Sequence, residues 1–350
     1  MAIDLAVLRG DGIGPEIAEA TLAVLAAADR RFGLSLSFTE IPVGLAAFAA
    51  EGTTFSDASE ARIRAADGVI LAPLATYEYA EGQPNPSARI RRGLDLYANI
   101  RPSVSRLPGA ARRMDLVIYR ENTEGFYADR SMFAGSGEFM PSPDMALAVR
   151  KITRSACERI ARAAFEAALH RRRKVTAVHK ANVLRQTDGL FLEAVRHVAG
   201  DYPTVSLEEV IVDAMAAHLV RDASVYDVVV TTNMYGDILS DEAGELAGGL
   251  GLAPALNVGA DHAVAQAVHG SAPDIAGRGI ANPVALILSA ALLLEWLGAR
   301  RGEPLLTDAA RAIEAAVTAA LADPATHTPD LGGDGTTAGF ADAVVRALSR

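Results

Sequence analysis

Apolar residues along this chain come in short runs separated by longer stretches with helical spacing. Residues 3–8, Ile-Asp-Leu-Ala-Val-Leu, form a compact run that predicts a buried strand. Residues 15–32 repeat apolar positions at three- and four-residue intervals, with Pro15 in the first turn and Gly33 just past the end, and predict a helix. Residues 34–43 alternate in the manner of a strand, and 67–71 form another apolar run before a proline. Further strands are predicted at 115–119, 174–179, 205–212 and 227–231, with helical patterns between most of them. Such alternation implies an α/β fold, a largely parallel sheet covered by helices.

No internal repeat or low-complexity linker interrupts this pattern. Residues 129–143, rich in Gly, Ser, Pro and Phe, have neither helical nor strand periodicity and read as an exposed arm. After a Gly-rich patch at 248–259 the chain returns to long helices, so a domain assembled from both chain ends is admissible. At 350 residues the chain exceeds the size at which one core usually stops growing, which allows two domains or one large α/β unit.

Half of the residues are hydrophobic and 22% are charged, as in a well-buried globular enzyme. The formal charge of -10 argues against a nucleic-acid partner, since phosphate binding requires a basic face. Cys157 is the only cysteine, so no intrachain disulfide can form. Asp4 sits inside the first apolar run with no basic leader, and the longest apolar segment, 283–294, is shorter than the roughly 20 residues a membrane span needs. The expectation is a cytoplasmic protein with no membrane partner.

Several segments carry candidate chemistry. Arg-Gly-Asp-Gly-Ile-Gly-Pro-Glu (9–16) joins a strand to a helix, but its G-x-G-x-G spacing fits a dinucleotide fingerprint poorly, and a tight structural turn explains it equally well. Arginines gather at 90–102 and again at Arg120; the planar guanidinium suits bidentate carboxylate recognition, although any single arginine is more often a surface residue. Lys180 ends a strand-like run and is one of only three lysines, with Lys151 and Lys174, so an amine of tunable basicity is used there. His179 points to the other face and reads as packed. Asp213 closes another apolar run, as a helix cap or a ligand. In Tyr-Gly-Asp-Ile-Leu-Ser-Asp-Glu-Ala-Gly-Glu (235–245), Asp237, Asp241 and Glu245 share a helix face, where like charges repel unless water screens them or a cation lies between them. With Asp213, the two aspartates supply the hard oxygens that Mg²⁺ or Mn²⁺ prefers. The polar, Gly-rich loop at 269–283 offers amides, a hydroxyl and an acid suited to a nucleotide, or is an ordinary surface loop.

Taken together and in order, Gly-Asp-Gly-Ile-Gly-Pro-Glu, Leu-Asp-Leu-Tyr-Ala-Asn-Ile-Arg-Pro, Arg-Glu-Asn-Thr-Glu-Gly, His-Lys-Ala-Asn-Val, Val-Asp-Ala-Met-Ala, Gly-Asp-Ile-Leu-Ser-Asp and His-Gly-Ser-Ala-Pro-Asp-Ile-Ala-Gly resemble the isocitrate and isopropylmalate dehydrogenase family, from residue 7 to about 345. The resemblance implies a two-domain α/β fold that is not a Rossmann fold, with the active site in the interdomain cleft. Residues 1–96 plus 248–350 would form the cofactor domain; 97–247 would form the substrate, metal and dimerisation domain, with an arm near 127–147. The implied reaction oxidises and decarboxylates a (2R)-hydroxy diacid of the 3-substituted malate class, using NAD or NADP and Mg²⁺ or Mn²⁺. By resemblance, Arg91, Arg101 and Arg120 bind the malate carboxylates, while Asp237 and Asp241 hold the metal. Asp213 joins them from the second subunit of a homodimer. Lys180, also from the partner, receives the hydroxyl proton, and Tyr127 protonates C3.

Cofactor choice turns on Asp274 followed by Ile275: an acid facing the adenosine ribose accepts from the 2′-hydroxyl and repels a 2′-phosphate, favouring NAD. His269, Gly270, Ser271, Ala272 and Asn282 complete the cofactor contacts, and Gln266 stands where the family usually has Glu. Asn85 and Ser87, six and four residues before Arg91, resemble the polar pair of isocitrate enzymes, and Arg89 is positioned in sequence to meet a distal carboxylate. An isopropyl group gains nothing from unpaired polar walls. The expected substrates are therefore isocitrate, homoisocitrate, or tartrate and malate; the alternatives are a 3-isopropylmalate dehydrogenase of leucine biosynthesis and a non-catalytic regulatory subunit.

Overall fold

The computed structural model describes residues 2–110, 113–127, 132 and 137–349. Among them ten strands form one sheet in the order β2 (Leu36–Glu40), β1 (Ile3–Leu8), β3 (Gly68–Leu71), β12 (Ala263–Ala265), β11 (Leu256–Val258), β4 (Ala98–Val104), β5 (Asp115–Glu121), β10 (Val228–Thr231), β8 (Lys174–His179) and β9 (Ser206–Ile211). β2, β1, β3 and β12 pair in parallel, as do β5, β10, β8 and β9. The junctions β12–β11, β11–β4 and β4–β5 are antiparallel, so the two parallel blocks run in opposite directions.

Each block is covered on both faces. Over the first, α1 (Gly14–Phe32), α9 (Val284–Arg301), α10 (Pro304–Leu321) and α11 (Thr337–Leu348) share one core with Leu5, Val7 and Ile70. Its other face buries Ala6, Leu8, Val69 and Leu71 against Ile63 of α3 (Asp57–Ala65) and Ile90 of α4 (Pro86–Gly93), while α2 (Gly44–Glu51) lies nearby in sequence. In the second block β5 divides by alternation. Val117 and Tyr119 pack with α5 (Arg154–Leu169) and α6 (Thr187–Ala199), and Leu116 and Ile118 pack with α7 (Val212–Asp222) and α8 (Asn233–Ala247). No helix among the described residues is long and apolar enough to cross a membrane.

The pattern-based elements meet the structure with instructive differences. α1 begins with Pro15 in its first turn and ends where the Gly33 amide, in a left-handed conformation, donates to the Asp29 carbonyl. The stretch 34–43 is a strand only over β2. β4 was not among the predicted strands, although Ala98, Ile100, Pro102 and Val104 alternate with Asn99, Arg101 and Ser103; here the polar alternate positions are buried and serve the site. β11 and β12 have three residues each, too few for periodicity to register. In the arm region, β6 (Glu138–Ser142) and β7 (Met145–Ala148) form a separate two-stranded sheet whose residues are all exposed. With no face buried, no alternation was selected. Of the arm, 128–131 and 133–136 lie outside the described residues.

Candidate active site

Strand register builds the cationic face. Asn99 and Arg101 project from one side of β4, and Arg120 of β5 stands directly opposite Asn99. β10 pairs with β5, Thr231 opposite Arg120, and leads into α8, so the first turns of α8 lie over the two arginines. Gly236 makes this approach possible: a Cβ there would lie 2.7 Å from Cβ and Cγ of Arg120. The stripe facing the arginines is Asn233, Asp237 and Asp241. Asn233 Oδ1 accepts from Nε and Nη2 of Arg120 at 3.0 and 2.7 Å. Asp237 Oδ1 pairs with both Arg120 and Arg101, the latter at 3.2 Å, and Asp241 pairs with Arg101 at 3.1 Å. Arg101 also donates to Ser240 Oγ at 2.7 Å. The like-charge repulsion on α8 is thus answered by side chains of the same chain, and Glu245 stays exposed one turn beyond them.

Electrostatics separates the two aspartates. Burial opposes ionisation of Asp237, but the guanidinium groups of Arg120, Arg101 and Arg91 outweigh it and hold its carboxyl below the usual range. Burial, with Asp237 as a like-charged neighbour, pushes Asp241 upward despite Arg101. Tyr127 donates from its hydroxyl to Asp237 Oδ2 at 3.2 Å. Arg91, Arg101, Arg120, Tyr127 and Asp237 line a single cavity of about 500 Å³, closed on the other side by Gly270 and Ser271. Arg91 reaches it from the end of α4, where Gln266 Oε1 accepts from its Nη2 at 3.3 Å and from Asn257 Nδ2 at 3.4 Å.

Lys180 and Asp213 lie apart from this cavity and pair with each other, which holds the Asp213 carboxyl below its usual range. Asp213 sits in the first turn of α7, the helix-terminal position its place in the sequence suggested. Within one chain, and among the described residues, no three acids or histidines gather as a metal-holding group. His179 is buried and accepts from the Ala181 amide through Nδ1 at 3.0 Å, a packed residue.

A second cavity of about 640 Å³ is lined by His269, Gly270, Ala272, Ile275 and Asn282, and shares Gly270 with the first. His269 Nε2 is buried with no partner, and burial pushes the imidazole pKa down, so it faces the cavity as a neutral ring. Ala272 adopts a left-handed backbone at φ 39°, local strain of the sort found at functional loops. Asp274 is exposed on the same loop beside Ile275 and is not part of the cavity wall. Sequence reasoning missed two contributors. Asp330, in Thr-Pro-Asp-Leu-Gly-Gly (328–333), lines the cavity and accepts from Asn282 Nδ2 at 2.9 Å. Glu16 reaches across from α1 and accepts from the amides of Gly279 and Ala281, both at 3.1 Å.

The motif at 9–16 forms a tight turn whose contacts anchor both cavities. Ile13 N–H donates to the Ser271 carbonyl at 2.9 Å, and a Cβ on Gly12 would lie 2.0 Å from that oxygen. The buried Asp11 carboxylate accepts from the amides of Leu45 and Ala75 and from the Tyr79 hydroxyl.

Ahead of Arg91 the structure corrects one expectation. Arg89 does not turn toward the cavity: its guanidinium pairs with Glu60 and Asp57, donates to the Phe55 carbonyl and lies over the Phe55 ring. Pro86 starts α4, which sends Arg89 and Arg91 to different sides. Asn85 caps that helix, accepting from the Ala88 amide at 3.1 Å, and neither Asn85 nor Ser87 lines the cavity.

The fold sets a cationic cleft beside a loop-lined cavity in an α/β architecture distinct from the Rossmann type. Residues 4–344 match the family model described as isocitrate/isopropylmalate dehydrogenase, and the chain belongs to that family. It is 45% identical over 351 residues to the isocitrate/homoisocitrate dehydrogenase of Thermus thermophilus, covering 99% of each chain. It is 40% identical over 340 residues to the 3-isopropylmalate dehydrogenase of Sulfurisphaera tokodaii, covering 96% of each. The crystal structure of isocitrate dehydrogenase from Methylococcus capsulatus matches at a TM-score of 0.88 and 40% identity, over 99% of this chain and 100% of that one.

Proposed function

We propose that this chain is an NAD-dependent, Mg²⁺- or Mn²⁺-dependent dehydrogenase that oxidatively decarboxylates a (2R)-hydroxy diacid, with isocitrate, homoisocitrate, tartrate or malate preferred over isopropylmalate. The observation that carries this reading is the convergence of Arg91, Arg101, Arg120 and Tyr127 with Asp237 on one cavity that adjoins the cavity under the 269–282 loop.

The residues present fit both groups. Asp237 and Asp241 offer hard carboxylate oxygens one helical turn apart, the donor set for Mg²⁺ or Mn²⁺, with Asp213 of a second subunit as a third. The unpartnered, buried His269 Nε2 and the loop amides suit a nucleotide, and the exposed acid at Asp274 disfavours a 2′-phosphate. When bound, the ion polarises substrate oxygens and the nicotinamide accepts hydride. The chain's own groups do the rest. Substrate carboxylates replace Asp237 and Asp241 as partners of Arg101 and Arg120, freeing the aspartates as ligands. Lys180 of a second subunit accepts the hydroxyl proton, and Tyr127 supplies a proton to C3.

Two features support a homodimer. Lys180 and Asp213 lie outside the cavity of their own chain, and the arm hairpin exposes Phe139, Met140, Met145 and Leu147 on a two-stranded sheet that is marginal alone. Division into 1–96 plus 248–350 and 97–247 agrees with the two groups of core residues on either side of β11 and β4. Retention of Lys180, Tyr127, Asp213, Asp237 and Asp241 opposes a non-catalytic regulatory role. Mixing the enzyme with NAD, Mn²⁺ and each diacid should raise NADH absorbance with matching release of CO₂, and a chelator should abolish both. Absence of metal-dependent NADH formation with every acid would refute the proposal.

A further inference from the structure

Outside the cavity wall, one buried cation joins the segments that carry the proposed acid and base. Arg150 and Asp188 form an ion pair with side-chain exposures of 7% and 0%. Asp188 Oδ2 accepts the backbone N–H of Lys180 at 2.5 Å. The Arg150 guanidinium also donates to Thr187 Oγ1 at 2.7 Å and to Thr232 Oγ1 at 3.1 Å, and Thr232 is the residue from which α8 starts. Its faces lie near two rings, Phe126 at 5.7 Å and Tyr235 at 5.2 Å. Phe126 precedes Tyr127, and the adjoining backbone is fixed by a two-way bridge between Gly125 and Lys151.

We infer that Arg150, together with Asp188, is a positioning residue for the reaction: it sets the Tyr127 turn and the start of α8, which line the cavity of its own chain, and Lys180, which serves the cavity of the second subunit. The inference rests on the proposed roles of Lys180 and Tyr127. The physical case is geometric. A guanidinium is the side chain with a rigid planar fork and two ring-stacking faces, so a single group can hold a carboxylate, two hydroxyls and two aromatic rings at once. A lysine ammonium would keep the charge but not that set of directions. Each segment it touches is one step from a reacting group: Asp188 holds the Lys180 amide, Phe126 is covalently joined to Tyr127, and Thr232 lies five residues before Asp237. Reaction geometry tolerates little error, so small shifts in these segments act on turnover more than on substrate binding, which the three arginines provide.

The test separates positioning from mere structural support. Removing one member of a buried ion pair destabilises strongly, whereas replacing both members by apolar residues is often neutral. The variants are Arg150→Lys, the paired substitution Arg150→Met with Asp188→Leu, and Lys180→Met as a control, all in the full chain. Readouts are melting temperature, kcat, KM for the diacid and the pH profile of kcat. The expected result is that the paired substitution melts close to wild type while kcat falls about tenfold or more, KM for the diacid stays within about threefold, and the pH profile moves. Arg150→Lys should show the same split. If Lys180→Met is inactive but the paired variant keeps wild-type kcat and pH profile, the inference is overturned while the functional reading stands. If Lys180→Met keeps wild-type turnover, the reading of the base fails and the inference falls with it.

Discussion

Asp237 and Asp241 are alike in sequence and unlike in place. Asp237 lies between two guanidinium groups, and Asp241 touches one and is half exposed. Glu242, next in the chain, faces away with no partner in the cluster. Asp241→Asn should therefore weaken activation by Mn²⁺ and lower kcat by about 100-fold or more, while Glu242→Gln changes either by less than about twofold; metal titrations of turnover would check both. His179 supplies a pH prediction for stability. Burial pushes its pKa below the ordinary imidazole value, Glu209 and Asp188 oppose that weakly, and its Nδ1 is already an acceptor for the Ala181 amide. The unfolded chain then binds a proton near pH 6.5 that the folded chain resists, so unfolding free energy declines as pH falls below about 6.5. Denaturant unfolding of His179→Gln at a series of pH values should show a shallower decline. Residue types were legible where chemistry dictates them: arginines for carboxylates, aspartates for a hard cation. The resemblance named Arg91, Arg101 and Arg120, which line the cavity, but the direction of Arg89 was not legible, since Arg89 and Arg91 differ only by the turn of a helix whose start at Pro86 fixes their directions.

At the scale of elements, strands with apolar faces on both sides announced themselves, including β5, which carries Arg120. β4 alternates apolar with polar residues but buries the polar side against the site, and the arm strands bury neither face within the chain, so neither has the buried apolar face by which strands are recognised. The proposed cofactor loop was visible as a polar, Gly-rich segment, but its anchor was not, because Glu16 is 263 residues away from Gly279 and only the fold joins them. Its carboxylate accepts two loop amides, a charge-assisted arrangement worth more than a neutral contact. Glu16→Ala should raise KM for NAD about tenfold while KM for the diacid moves less than about twofold, measured by steady-state kinetics with each substrate varied in turn.

For the whole molecule, two parallel blocks of opposite direction meet at β11, β4 and β5, and the cationic cleft forms where they meet. The alternation of strand and helix made the α/β class legible, but the reversal of direction depends on β11 and β12, too short to detect. The proposed dimer belongs to this scale as well. Replacing Phe139 and Leu147 of the arm by Asp should shift the protein toward monomer in sedimentation and reduce turnover at low protein concentration. The central claim, a dehydrogenase of polar or carboxylated malates whose three arginines bind the malate carboxylates, is tested most directly by comparing kcat/KM for isocitrate, homoisocitrate, D-malate, tartrate and isopropylmalate with NAD and Mn²⁺. The account predicts that one of the first four leads, with CO₂ released in step with NADH; a clear preference for isopropylmalate would contradict it.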